Sequence, residues 1–263
     1  MVVVSQQRMV QGDGTPETAW QPWLKSVETA TANLDDFLSK NSRLVVIAPH
    51  PDDEILACGG LMAMHCSRGG DVCVIAVTDG EASHVGSPRW DAEALAETRR
   101  AERIAGLSRL GLFEAVVVRL AIPDGLVNGS SVSLTSRLQL LLRASDVVVT
   151  TWRLDGHPDH DATGLAAAES CSAVGCRLIE APVWMWHWAE PGDCRVPWNR
   201  LQRLPLVPTV RACKEAALCA HASQLDDSVR PQGAILGPAI VQRARRHDEY
   251  FFLEAELANE AYG

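Results

Sequence analysis

Two short clusters hold the side chains able to do chemistry. In the first, His50, Pro51, Asp52, Asp53 and Glu54 follow the apolar run VVIA and put one imidazole and three carboxylates into five residues. In the second, TTWRLDGHPDHDATG, the residues His157, Asp159, His160 and Asp161 fall within five positions. Neutral imidazole and carboxylate oxygen are the ligand types of catalytic zinc sites, where three protein ligands leave a place for water. Such an ion makes bound water a usable nucleophile at neutral pH and polarises a carbonyl, which is what hydrolysis of an amide requires. Each cluster also has an ordinary structural explanation: Pro-Asp-Asp is good turn chemistry, and acidic residues suit the first turn of a helix.

For the clusters to act together, the chain must bring them to one place. RLVVIAPH, an apolar segment from 55 to 68 closed by Gly69-Gly70, and DVCVIAVTDG read as strand, helix, strand. The alternation continues through a helix over 91–110, the strand AVVVRLAI, a helix over 133–143, the strand DVVVTTW, a helix over 161–174 and the strand CRLIEAPVW. Continuous Val/Ile runs separated by helices mark a buried parallel sheet. The expected fold is therefore α/β, a Rossmann-like open, mostly parallel sheet with helices on both faces. In the doubly wound strand order 3-2-1-4-5, strands one and four are neighbours, and both clusters then open on the crevice at the switch point. Leu24, Val27, Leu34 and Leu38 predict an amphipathic helix over 22–40 behind a loose arm at 1–20, and another helix is expected over 209–223. The chain divides on this reading into an N-terminal arm and helix, 1–40, and a single α/β domain, 41–263.

APHPDDE and HPDH, with RRAERIAGLSRLG at 99–111 and KEAALCAHASQ at 214–224, resemble the LmbE-like (PIG-L) zinc-dependent deacetylases that act on N-acetylglucosamine-type sugars. The resemblance implies one Zn2+ per chain on His50, Asp53 and His160, with Asp52 as the base. It further implies that His157 stabilises the tetrahedral oxyanion and that Asp159 orients that imidazole, while Arg99 reaches the sugar hydroxyls. As chemistry this is coherent: a carboxylate beside a ligand can take the water's proton and return it to the departing amine, and an imidazolium at His157 suits a developing oxyanion.

VWMWHW at 183–188 alternates, so Trp184, Trp186 and Trp188 share one face of an extended segment. They either pack into the core or form a stacking platform at the crevice rim for the non-sugar part of a substrate. With the extra N-terminal helix they favour a large aromatic acceptor, of the kind found in teicoplanin-type glycopeptides of antibiotic biosynthesis.

A net charge of −9 over 263 residues argues against a nucleic-acid partner, and 47% hydrophobic with 22% charged residues fits a soluble domain. No run approaches membrane-spanning length and the N-terminus lacks the pattern of a signal peptide, so the expected location is cytoplasmic. Eight cysteines without a C-x-x-C pair are expected to be buried reduced thiols. His65 is expected to be a structural histidine, and His84 to lie in a loop near the mouth. The expected function is metal-dependent removal of an N-acetyl group from an N-acetylglucosamine-bearing small molecule or glycopeptide. The alternatives are a metal-dependent phosphoesterase and a non-catalytic sugar-binding protein of the same fold.

Overall fold

Among the described residues eight strands form one sheet in the order β1-β7-β8-β6-β5-β2-β3-β4. The structure is a computed structural model and describes residues 8, 10, 12–228 and 233–253; part of the expected N-terminal arm lies outside them. In chain order the elements are α1 (Glu17–Ser26), β1 (Ala30–Thr31), α2 (Leu34–Phe37), β2 (Leu44–Ala48), α3 (Asp53–Ser67), β3 (Val72–Ala76), α4 (Ala92–Arg109), β4 (Val116–Arg119), α5 (Ser131–Leu141), β5 (Val147–Thr151), α6 (Pro158–Val174) and β6 (Arg177–Ala181). They continue with α7 (Met185–Trp188), β7 (Leu201–Pro205), α8 (Pro208–Leu218), α9 (Ala222–Leu225), α10 (Pro238–Ala244) and β8 (Asp248–Leu253).

The run β4-β3-β2-β5-β6 is the expected 3-2-1-4-5 order, and all its pairings are parallel. β2 lies between β3 and β5 and is buried on both faces: Leu44 and Val46 pack with α3 residues such as Leu61 and Met62, whereas Val45 and Ile47 pack with Leu138 and Ala166 of α5 and α6. Burial on both faces explains why its sequence is uniformly apolar. The sheet is extended at the far side of β6 by β8, which is antiparallel to both β6 and β7.

The expected helix over 22–40 is instead α1, the short strand β1 and α2. Ala30 and Thr31 pair with Gln202 and Arg203 of β7, so a ladder absent from local sequence pattern overrides the helical spacing. α1 is bound to the same body, with Trp20 fully buried among Trp152, Trp186 and Phe252 and Glu17 paired to Arg246 by two bonds of 2.7 Å. The expected helix over 209–223 ends earlier, as α8, and α9 follows after a break. Among the eight free cysteines Cys58, Cys73 and Cys171 are buried, while Cys194 and Cys219 are exposed rather than buried as expected. His65 is buried, its Nε2 3.0 Å from the Ser42 carbonyl.

Candidate active site at the carboxyl ends of the parallel strands

Four strand ends meet at one edge of the sheet. β2 leads into His50, Asp52 and Asp53, β4 into Asp124, β5 into Asp155, His157 and His160, and β6 into Trp184. α3 starts at Asp53 with Asp52 as its N-cap, and α6 starts at Pro158 with His157 as its N-cap. The second cluster therefore forms the first turn of α6 rather than a loop before a helix at 161, because proline is preorganised for the first helical position. Gly156 stands at φ +94°, and a Cβ there would lie 2.7 Å from Trp188 Nε1. Only glycine fits the turn that delivers His157.

Asp53 Oδ2 lies 3.1 Å from His50 Nδ1 and 3.2 Å from His160 Nε2, so the structure brings the three family-implied ligands together. His50, His157 and His160 each place a ring nitrogen within 4.8 Å of the others, and His50 also converges with Asp124 and Asp159. His160 is fully buried; its Nδ1 lies 2.8 Å from Asp155 Oδ2. Its Nε2, although near Asp53, has no hydrogen-bond partner among the described residues. A ring nitrogen freed by a carboxylate on the opposite nitrogen is how a histidine presents a lone pair to a cation.

The charges agree. Burial opposes the charged form of every group here, yet Asp124, Asp159 and Asp53 hold the His50 imidazole well above its ordinary range. Burial likewise lowers His160, but Asp53 and Asp155 raise it to about 9. Burial pushes the Asp53 carboxyl up, and His160 and His50 outweigh that and hold it well below the carboxylate range. Asp124 follows the same pattern: burial raises it, the bond to His50 lowers it, and it comes to about 2. The pocket is thus a concentration of carboxylate charge that calls for positive charge on its imidazoles or between them.

Asp52 differs from its neighbour. On the protein's own charges burial pushes its carboxyl up to about 7, with Arg99 opposing and Asp53 adding to the rise. Its backbone is at φ 133°, a conformation rarely adopted by a residue with a Cβ. Arg99 holds it there: Nη2 donates to Asp52 Oδ2 at 3.0 Å and to the Pro51 carbonyl at 2.8 Å, while Nη1 donates to the Gly80 carbonyl at 2.9 Å. Arg99 is 2% exposed. The structure therefore places it against Asp52, as a support for that carboxylate. One turn on, Arg103 Nε donates to Glu54 Oε1 at 3.0 Å.

His157 Nδ1 accepts from the Asp159 backbone N–H at 3.3 Å, which leaves Nε2 as the proton-bearing nitrogen of the neutral ring. Burial, with the charges of His160 and His50, lowers this imidazole to about 3. On these charges it is a neutral donor, not the imidazolium expected. The Asp159 carboxylate does not hold His157. It lies 3.2 Å from His50 Nε2 and accepts from Gly125 N at 2.7 Å and Val127 N at 3.2 Å. Its backbone does the orienting, because the side chain in the first turn of α6 is drawn to these donors and to His50.

The tryptophans separate. 185–188 is a helical turn rather than an alternating strand, since Asp155 accepts from the N–H groups of Val183, Trp184 and Met185 at 3.0, 2.9 and 2.8 Å. Trp184 is half-buried and stacks on His157, with centroids 6.3 Å apart and planes 21° apart. Trp186 is 4% exposed in the aromatic core. Trp188 donates to the Asp155 carbonyl at 2.6 Å and lies under Arg195. A cleft of about 1060 Å³ runs from Trp184 and His187 between the 12–17 segment and the 233–242 segment, where Ile235 and Ile240 line it. Asp124 and Asp155 went unread in the sequence: each sits in an Asp-Gly pair that turn chemistry explains fully, and only the fold shows them facing imidazoles. His84 is buried, with Nδ1 2.9 Å from Ser83 Oγ.

The PIG-L family model (GlcNAc-PI de-N-acetylase) matches residues 45–171. A 1D-myo-inositol 2-acetamido-2-deoxy-alpha-D-glucopyranoside deacetylase of Rhodococcus erythropolis is 40% identical over 247 residues, spanning 73% of this chain and 83% of that protein. Among solved structures, the A40926 pseudoaglycone deacetylase aligns with a TM-score of 0.62 at 23% identity, over 81% of this chain and 97% of that one. The zinc-inhibited form of a teicoplanin deacetylase aligns with a TM-score of 0.54 at 19% identity, over 80% and 97%. These two likenesses show a shared fold. Among the described residues no helix is long and apolar enough to cross a membrane.

Proposed function

Since the chain belongs to the PIG-L family of de-N-acetylases, we propose that it hydrolyses the N-acetyl group of an N-acetylglucosamine-bearing conjugate, releasing acetate and a free amino sugar. The observation that carries this reading is the fully buried Nε2 of His160, 3.2 Å from Asp53 Oδ2 but without hydrogen-bond geometry to it, and close to a ring nitrogen of His50. Two imidazoles and a carboxylate suit zinc, and His50, Asp53 and His160 would hold it. Such an ion supplies an acidified water and a polarised carbonyl when bound.

The chain's own residues do the rest. Asp52, raised by burial and gripped by Arg99, takes the proton of the attacking water and delivers it to the departing nitrogen as the C–N bond breaks. His157 donates its Nε2–H to the carbonyl oxygen as charge develops there, a role that a neutral imidazole can fill. Trp184, stacked on His157 at the head of the cleft, offers an indole face to the sugar or to what the sugar carries. The cleft, lined by Ile235 and Ile240 together with Asp13, Asp227 and Arg245, has room for an acceptor larger than the sugar itself. Supporting this reading are the relative that deacetylates an inositol-linked 2-acetamido-2-deoxyglucopyranoside and the fold shared with two glycopeptide deacetylases.

The test is direct. Zinc-loaded protein is incubated with N-acetylglucosamine linked to inositol, to a second sugar and to a glycopeptide aglycone, and primary amine and acetate are both measured. Equimolar release from at least one conjugate is expected; release from none would end the proposal.

A further inference from the structure

Helix α3 carries the site on its first turn, and it is not one continuous helix. Cys58 stands at φ −151° and ψ 27°, so the turn bearing Asp53 and Glu54 meets the rest of the helix at a kink. A kink leaves N–H groups beyond it and carbonyls before it in need of other partners. An ion pair from two distant elements takes them up. Glu249 of β8 accepts from Gly60 N through Oε1 at 2.7 Å and from Leu61 N through Oε2 at 2.9 Å. Lys214 of α8 donates to the Leu56 carbonyl at 3.2 Å and to Glu249 Oε1 at 2.6 Å. In an unbroken helix the Gly60 N–H would serve the Leu56 carbonyl; here each of those groups is also held by one member of a salt bridge.

The sequence around the kink makes room for the pair. A Cβ at Gly59 would lie 3.3 Å from Lys214 Cγ, and one at Gly60 would lie 2.5 Å from Leu206 Cδ2 and 3.0 Å from Glu249 Oε1. Lys214 and Glu249 are 3% and 4% exposed. Stability alone is a poor reason to bury such a pair, because well-packed apolar residues of similar volume commonly serve as well or better.

We propose that Lys214 and Glu249 are positioning residues for the reaction centre: seated in the kink of α3, they set the direction of its first turn and with it Asp52, Asp53 and Glu54. Neither touches those carboxylates. Their effect runs through the backbone of one helical turn, and displacement of reacting groups by about an ångström is costly to turnover.

The inference uses the deacetylase reading for its activity assay, and zinc affinity gives a second, independent readout. In the Lys214→Met/Glu249→Leu variant the Gly60 and Leu61 N–H groups lose their side-chain acceptor, so the melting temperature falls, and per folded molecule zinc affinity and kcat each fall by about tenfold or more. KM for the sugar conjugate changes less than kcat. Zinc affinity and kcat both within twofold of wild type per folded molecule would overturn the proposal. If that variant does not fold, Glu249→Gln keeps the shape but removes one of two acceptors. Lower zinc affinity per folded molecule is then expected, and wild-type affinity overturns the idea. A wild-type protein that binds zinc but cleaves no conjugate contradicts the deacetylase reading alone, and the zinc comparison still decides the positioning.

Discussion

Asp155 Oδ2 lies 2.8 Å from Nδ1 of His160, with both side chains fully buried. The same carboxylate accepts three successive backbone N–H groups from 183–185, so one side chain fixes both the ring that faces Asp53 and the turn that presents Trp184. The substitution Asp155→Asn keeps the size and removes the charge. Zinc affinity is expected to fall by about 10–100-fold, the usual consequence of losing a ligand's outer partner. Titration against a competing chelator measures it, and unchanged affinity would show that His160 needs no such support.

Asp52→Asn should leave zinc bound and the fold intact while lowering kcat by about 10²–10⁴, the contribution of a general base. Glu54→Gln, which weakens the contact to Arg103, should cost stability more than turnover. The reverse pattern, with Glu54→Gln inactive and zinc-loaded and Asp52→Asn active, would assign the base to the wrong carboxylate.

Trp184 and Trp186 are two positions apart and should answer differently. Trp184→Ala is expected to raise KM for complex conjugates more than for free N-acetylglucosamine, with little change in melting temperature. Trp186→Ala removes a buried indole from the cluster of Trp20, Trp198 and Phe252 and should cost about 3–5 kcal/mol of stability. Denaturant unfolding and substrate kinetics on both variants separate the roles; similar stability losses in the two would deny Trp184 its place at the rim.

Much of this was legible in the chain. The Val/Ile runs of β2 to β5 and the Leu178-Ile179 pair of β6 announced a parallel sheet, and their order followed from the rule for doubly wound folds. β1, β7 and β8 were not legible. LQRLP and Ala30–Thr31 have no strand pattern of their own: β7 acquires it by pairing with β8 and β1 by pairing with β7, both across long stretches of chain. The same limit hid the aromatic segment: WMWHW alternates like a strand, and a distant Asp155 turns it into a helix. In the site, residue types and spacing pointed to the two clusters, and the family resemblance implied His50, Asp53 and His160 within them. They could not show that Arg99 stands behind Asp52 or that the Asp159 carboxylate serves His50, since both depend on which neighbours the sheet supplies.

His221 gives a prediction on pH. It is fully buried, with no hydrogen-bond partner on either ring nitrogen among the described residues. Burial, with the charges of Arg99 and Arg103, lowers it to about 3. An unfolded chain binds a proton there below about 6.5, whereas the folded protein refuses it until about 3. This contribution to stability is fully present above pH 6.5 and is lost as pH falls toward 3. Urea unfolding of chelator-treated protein at pH 7.5 and 5.0 should show a larger loss for wild type than for His221→Gln, and equal losses would contradict the assignment.

Stoichiometric reconstitution decides whether one cation at His50, Asp53 and His160 serves amide hydrolysis. Chelator-treated protein is titrated with zinc while acetate release from an N-acetylglucosamine conjugate is followed. Activity should be absent at the start, rise linearly and level off at one equivalent per chain, and His160→Ala should show no such rise. Full activity in the chelated protein, or a rise that levels off only at two equivalents, would contradict the account.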